Sequence, residues 1–124
     1  MPENRLHTWA DGRDTAEGQV RVLEAAGKPA GIEDRYLVAA GGYSYTEVCM
    51  IIREWLPHLV NTRLTPNSAG APPWPPHYSV DNGKSVRELG MTNRPLGECI
   101  VDVVHSLLNL QADKERKEEK RATI

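Results

Sequence analysis

Residues 69–77 read AGAPPWPPH, and this run constrains the fold more than any other part of the chain. Four prolines in five positions fix φ and remove N–H donors, so the run can neither sit inside a helix nor feed a sheet ladder. With the preceding Pro66-Asn67-Ser68 it reads as a loop, in which Trp74 is the bulky apolar residue that packs it down. The loop divides 124 residues into two blocks that together suit one core and are too short for two.

The first block opens its helical signal at Asp14. Asp14 and Glu17 have the D-x-x-E spacing of a capping box, Ala16, Val20 and Leu23 recur on one face, and Gly27 followed by Pro29 stops the run. The short apolar run Arg35 to Ala40, bounded by glycines, reads as a buried strand. A second helix follows, with Ser44 and Glu47 as an S-x-x-E capping box ahead of Val48, Ile51, Ile52 and Trp55. Pro57 ends it, and LVNTRLT is a candidate short strand.

The second block reads as an extended piece from Tyr78 to Val80, a short helix from Lys84 to Leu89 stopped by Gly90, and a long amphipathic helix. Leu96, Ile100, Val103, Val104, Leu107 and Leu108 form the stripe of that helix, with Pro95 near its start. The tail QADKERKEEKRATI mixes charges without an apolar face, which reads as a solvated or disordered extension. The whole is a partial α/β unit with few strands and about four helices at 1–110, and a charged tail at 111–124.

Several function classes are excluded at this level. The formal net charge of -2 gives no bulk attraction to nucleic acid or anionic lipid. No apolar run approaches a membrane span, and the polar N-terminus has no signal core, so a cytoplasmic product is expected. Cys49 and Cys99 form no CxxC and read as buried helix thiols rather than a disulfide or a nucleophile. His7, His58, His77 and His105 are scattered one per element, which is not the spacing of a metal site. Glu88, Glu98 and Asp102 fall on polar helix faces.

One motif invites a phosphate. Gly83-Lys84-Ser85 enters a helix from an extended piece, as a phosphate-binding loop does, but that loop needs an earlier glycine where Tyr78 stands. The proline-rich lead also removes N–H donors.

Three segments together resemble the C-terminal part of extended short-chain dehydrogenases/reductases of the dihydroflavonol-reductase, cinnamoyl-CoA-reductase and fungal ketoreductase type. WADGRDTAEGQVRVLE, from Trp9 to Glu24, resembles the family block V-D-V-R-D-V-A-x-A-H. RYLVAAGGYSYTEVCMIIREWLPHL, from Arg35 to Leu59, resembles its strand and following helix. SVDNGKSVRELGMTNRPLGECIVDVVHSLLNL, from Ser79 to Leu110, resembles its D-x-[ST]-K, L-G and closing helix, with Gly83 where Ser or Thr is usual. Gly12, Gly18 and Gly97 depart from the larger residues usual there, which read as weakened helices.

The resemblance implies the small C-terminal half of an extended Rossmann-type reductase, with the Rossmann half absent. For the full family it implies NADP or NAD, a small ketone or aldehyde substrate, and fungal-type secondary metabolism. This chain has neither the glycine-rich cofactor fingerprint nor Tyr-x-x-x-Lys, since four residues after Tyr36, Tyr43, Tyr45 and Tyr78 stand Ala40, Glu47, Cys49 and Asn82. No catalytic, cofactor-binding or metal residue is therefore assigned, and the isolated chain is expected to be inactive and to bind no cofactor alone. A part of a longer reductase, a degenerate remnant, and a non-catalytic module that pairs with another chain all fit. Helices deprived of their usual neighbour would leave an apolar face, favouring self-association or a complementary chain.

Overall fold

The computed structural model describes residues 7–25, 35–61 and 78–124. In chain order these form β1 (Thr8–Trp9), α1 (Gly12–Ala25), β2 (Gly41–Gly42), α2 (Tyr45–Trp55), a 3-10 turn (Pro57–Leu59), α3 (Gly83–Leu89) and α4 (Leu96–Ala122). Four α-helices and a two-stranded sheet make the small partial α/β unit that the sequence leads one to expect. Gly27, Pro29, the proline-rich run and most of LVNTRLT lie outside the described residues. Leu59 ends the 3-10 turn.

The sheet is smaller than its sequence signal. β1 and β2 pair antiparallel, Thr8 opposite Gly42 and Trp9 opposite Gly41. The Ala40 N–H donates to the Trp9 carbonyl and the Tyr43 N–H to the His7 carbonyl, both at 2.9 Å. The stretch Arg35 to Ala40 is extended but is no regular strand, contrary to the sequence reading. Two of its carbonyls are met by side chains of the α3 turn: Ser85 Oγ donates to Leu37 O and Asn82 Nδ2 to Ala39 O, each at 2.8 Å. A hydroxyl and an amide do here what a neighbouring strand would do in a larger sheet. Leu37 accordingly stays half exposed while Ala39 is buried.

α2 begins as the sequence dictates. Ser44 Oγ accepts from the Glu47 N–H at 3.2 Å, and Glu47 Oε2 accepts from the Ser44 N–H at 2.9 Å. Cys49, Leu56 and Leu59 are buried on its inner side. Pro57 turns the chain into the 3-10 segment. α3 ends at Gly90, whose φ of +63° is the left-handed stop that favours glycine.

α1 departs from its sequence reading at both its start and its face. It begins at Gly12, because Asp11 caps it: Asp11 Oδ1 accepts from the Arg13 N–H at 2.8 Å and the Asp11 carbonyl from the Thr15 N–H at 3.0 Å. Asp14 lies inside the helix and is fully buried, and Glu17 pairs with Arg21 at 2.6 Å rather than closing a capping box. Ala16, Val20 and Leu23 face solvent. The inner face carries Asp14 and Gly18 instead.

α4 is 27 residues long, about 40 Å at 1.5 Å per residue. Only its first part packs, against α2. Val103, Leu107 and Leu110 are exposed, so the apolar stripe outlasts the core that covers it. The segment 111–124 is helical through Ala122 and exposed along its length. Gln111 donates to Glu115, Arg116 to Asp113, and Lys114 sits 3.8 Å from Glu118, spacings that support an isolated helix.

Two of the three glycines that read as helix-weakening departures are contact points. A Cβ on Gly18 would stand 2.8 Å from a Val38 methyl, and one on Gly97 would stand 2.7 Å from the Trp55 ring. Around Gly12 there is nothing within 4 Å. The signs of two alanine substitutions should therefore differ. Gly18→Ala should destabilise by about 1 kcal/mol, the overpacking cost exceeding the gain in helix propensity. Gly12→Ala should be neutral or stabilise by about 0.5 kcal/mol. Denaturant midpoints of the two variants decide it.

Candidate functional site

A group of paired ionisable side chains lies where the start of α1 meets the start of α4. Asp11 is buried at the α1 cap, and the Arg13 guanidinium folds back on it with Nε at 2.9 Å from Oδ1 and Nη2 at 2.7 Å from Oδ2. The same guanidinium reaches Asp102 of α4, Nη1 to Oδ2 at 2.8 Å. One turn along α1, Asp14 accepts from the Arg94 backbone N–H at 2.8 Å and from the Arg94 guanidinium. Further along, Arg21 Nη1 donates to the carbonyls of Leu89 at 2.7 Å and Gly90 at 3.1 Å. Three arginines thus tie α1 to the second half of the chain.

The electrostatics follow from these contacts. The hydrogen bonds from Arg13 hold the Asp11 carboxyl well below the usual carboxylate range, against the opposing effect of burial. Bonding to Asp11 and Asp102 in turn raises Arg13 further. Cys99 lies beside the cluster, and its thiol is pushed up, first by burial and then by hydrogen bonding to the Asp11 carboxylate. A thiol held protonated is a poor nucleophile. Cys49 is buried, and both cysteines are free.

Chemically, this arrangement is a clamp. Each carboxylate is met by a guanidinium, Asp11 and Asp102 by Arg13 and Asp14 by Arg94. Among the described residues no group of three or more His, Cys, Asp or Glu could hold a metal ion. His58 and His105 are exposed, His7 lies edge-on to Tyr78 with ring centroids 5.9 Å apart, and His77 lies outside the described residues. Glu88 and Glu98 are exposed, as their polar faces implied.

The phosphate-like turn is occupied by its own groups. Asp81 Oδ1 accepts from the Gly83 N–H at 2.8 Å, and the buried Ser85 hydroxyl donates to Leu37 O and lies within 2.8 Å of Asn82 O. Lys84 Nζ sits 4.8 Å from the centre of the Tyr36 ring. This brings a tyrosine and a lysine together, but over the ring face in a cation–π contact. The turn does not fit a nucleotide phosphate. A second tyrosine, Tyr78, has its phenol shifted down by hydrogen bonds from the Thr8 side chain and the His7 N–H, the latter at 3.2 Å.

Sequence reasoning assigned no residue to the clamp. Asp14 appeared as a cap and Asp102 as a polar-face residue, while Asp11 and Arg94 drew no attention. The one local signal was Asp11 itself, an N-cap type directly before a glycine and a helix-forming run.

Among the described residues no helix is long and apolar enough to cross a membrane. No family model matches the chain, and no solved structure matches it. It is 30% identical over 109 residues to an uncharacterized oxidoreductase of Schizosaccharomyces pombe, a match covering 88% of this chain and 30% of the relative. It is 36% identical over 101 residues to a ketoreductase of Aspergillus niger, covering 82% of this chain and 29% of the relative. The chain thus spans about 30% of the length of these relatives.

Two measurements test the clamp. Asp14→Ala leaves the Arg94 N–H without its acceptor and should destabilise by about 2 kcal/mol, tempered by the partial exposure of the Arg94 side chain; chemical denaturation reads this. Asp11 has a depressed folded pKa, so its contribution to stability is full above its unfolded value of about 4 and is lost as pH falls below that. Stability should therefore fall more steeply with acid in the wild type than in Asp11→Asn, as followed by thermal melts from pH 6 to pH 2.

Proposed function

We propose that this chain is the substrate-side portion of an NAD(P)-dependent carbonyl reductase of ketoreductase type. The observation that carries this reading is its similarity, over more than four fifths of its own length, to proteins named oxidoreductase and ketoreductase of which it spans about 30%. The proposal includes a cytoplasmic location, a small ketone or aldehyde as substrate, and a role in fungal-type secondary metabolism.

The chemistry of such a reductase belongs to the part outside this chain. A nicotinamide cofactor supplies the hydride, and its pyrophosphate is held by a glycine-rich turn opening a helix. Gly41 and Gly42 pair with β1, and the Gly83 turn is closed by Asp81. Neither offers a cradle for a dinucleotide, so no step is derived through one. What this chain's residues contribute is a small body held by the Asp11, Asp14 and Arg21 contacts.

A second reading is favoured by the apolar side chains left facing solvent on α1 and α4, Val20, Leu23, Val103, Leu107 and Leu110 among them. On that reading the chain is a non-catalytic module that binds or assembles with another chain.

Calorimetric titration of the purified chain with NADPH and NADH, with an NADPH-oxidation assay against small ketones and aldehydes, tests the assignment. The expected result is no heat of binding up to millimolar cofactor and no turnover. Micromolar binding with turnover would overturn it and send attention back to residues 81–85.

A further inference from the structure

We propose that Asn82-Gly83 is a self-modifying site that the fold masks: when α3 lifts away from the Arg35 to Ala40 stretch, the Gly83 nitrogen closes on the Asn82 side chain and converts it to an acid. The sequence supplies the reactive pair. Ring closure on an asparagine is hindered by whatever side chain follows it, and a glycine there leaves the approach clear. Gly83 stands where the family pattern has Ser or Thr, so the pair belongs to this chain rather than to the pattern.

The reaction needs only the chain and water. The Gly83 N–H gives its proton to solvent base, and its nitrogen attacks Asn82 Cγ. A C–N bond forms there as the side-chain amide nitrogen takes a proton from solvent and leaves as ammonia. Water then opens the cyclic imide at either carbonyl. The product is aspartate or, with the main chain rerouted through the side chain, isoaspartate.

In the folded turn the reacting atoms are held apart. Asn82 has φ of -98° and ψ of 8°, so the Gly83 nitrogen eclipses the nitrogen of Asn82 itself, whereas ring closure needs it on the Cβ side. The Gly83 N–H is bonded to Asp81 Oδ1 at 2.8 Å, and a carboxylate there opposes loss of that proton. The leaving nitrogen is engaged too, Asn82 Nδ2 donating to Ala39 O at 2.8 Å. The Asn82 carbonyl accepts from the Val86 N–H at 3.1 Å and lies 2.8 Å from Ser85 Oγ, which holds ψ in place.

These restraints are local. α3 is seven residues long and Asn82 is half-buried, and a short segment of this kind opens without unfolding of the whole. Conversion is one-way. An acid at position 82 has no N–H for the Ala39 carbonyl and sets a negative charge beside it, while isoaspartate lengthens the main chain ahead of α3. The turn therefore keeps a record of each opening.

The intact chain, incubated at mildly alkaline pH in buffer and in guanidinium chloride, tests this when the peptide carrying Asn82 is followed by mass spectrometry. In denaturant Asn82 should convert at least about tenfold faster than Asn93 or Asn109, each of which precedes a bulky residue. In buffer it should convert at least about tenfold more slowly than in denaturant. Gly83→Ser, compared in denaturant where the fold plays no part, should slow conversion about tenfold. Ser85→Ala removes the bond to Leu37 O, and Asp81→Ala removes the acceptor of the Gly83 N–H. Whichever of the two keeps its wild-type circular dichroism should convert several-fold faster in buffer and within about twofold of wild type in denaturant. Equal rates in buffer and denaturant, an Asn82 no faster than Asn93 and Asn109 in denaturant, or a folded variant with the wild-type rate in buffer overturns the proposal.

Discussion

A carboxylate with no exposed surface must be met by a cation or by N–H donors, and Asp14 is met by both from a single residue, Arg94. That pair joins the first helix to the segment that launches α4, across 80 positions of sequence. The neighbouring contacts repeat the device. Arg13 bonds the Asp11 cap and reaches α4, and Arg21 crosses from α1 to the carbonyls at the end of α3. Among the described residues the buried apolar side chains include Ala39, Cys49, Leu56, Leu59, Leu89 and Met91, and directional bonds add to their packing in placing the helices.

The same arrangement shows what the charges at the start of α1 do. The Arg13 guanidinium answers one buried carboxylate and bridges to another. A thiol pushed up beside Asp11 is a weaker nucleophile than a free one. Asp14 and Arg21 of α1 reach inward to other elements, while Val20 and Leu23 stay exposed. Inward charge and outward hydrophobicity are therefore one fact seen from two sides of a helix. They fit a unit that spans less than a third of its relatives.

Much of the architecture was legible residue by residue. The Ser44 and Glu47 box, the Pro57 stop and the Gly90 terminus are local matters, each settled by interactions within about one helical turn. The misreadings share a cause. Asp14 and Glu17 have capping-box spacing, but the helix starts three residues earlier, where Asp11 accepts from the Arg13 N–H, and Asp14 meets a distant arginine instead. The run from Arg35 to Ala40 has the composition of a buried strand, yet its partners are side chains of α3, which no period in the run announces. Gly18 and Gly97 looked like weak points because helix propensity is local, whereas the Val38 and Trp55 groups that demand their smallness are not.

The sequence by itself determined elements that depend on near neighbours: four helices, the Ser44 cap of α2, and the stops at Pro57 and Gly90. It also carried the likeness to reductases, because order and spacing along the chain are one-dimensional properties. Only the tertiary structure decided which face of each helix is the inner one. Periodicity places Ala16, Val20 and Leu23 on one side of α1 but cannot say which way that side points. Direction was decided by a long-range pairing: desolvating Asp14 without Arg94 costs more than leaving two aliphatic side chains in water, so the helix turned its charge inward.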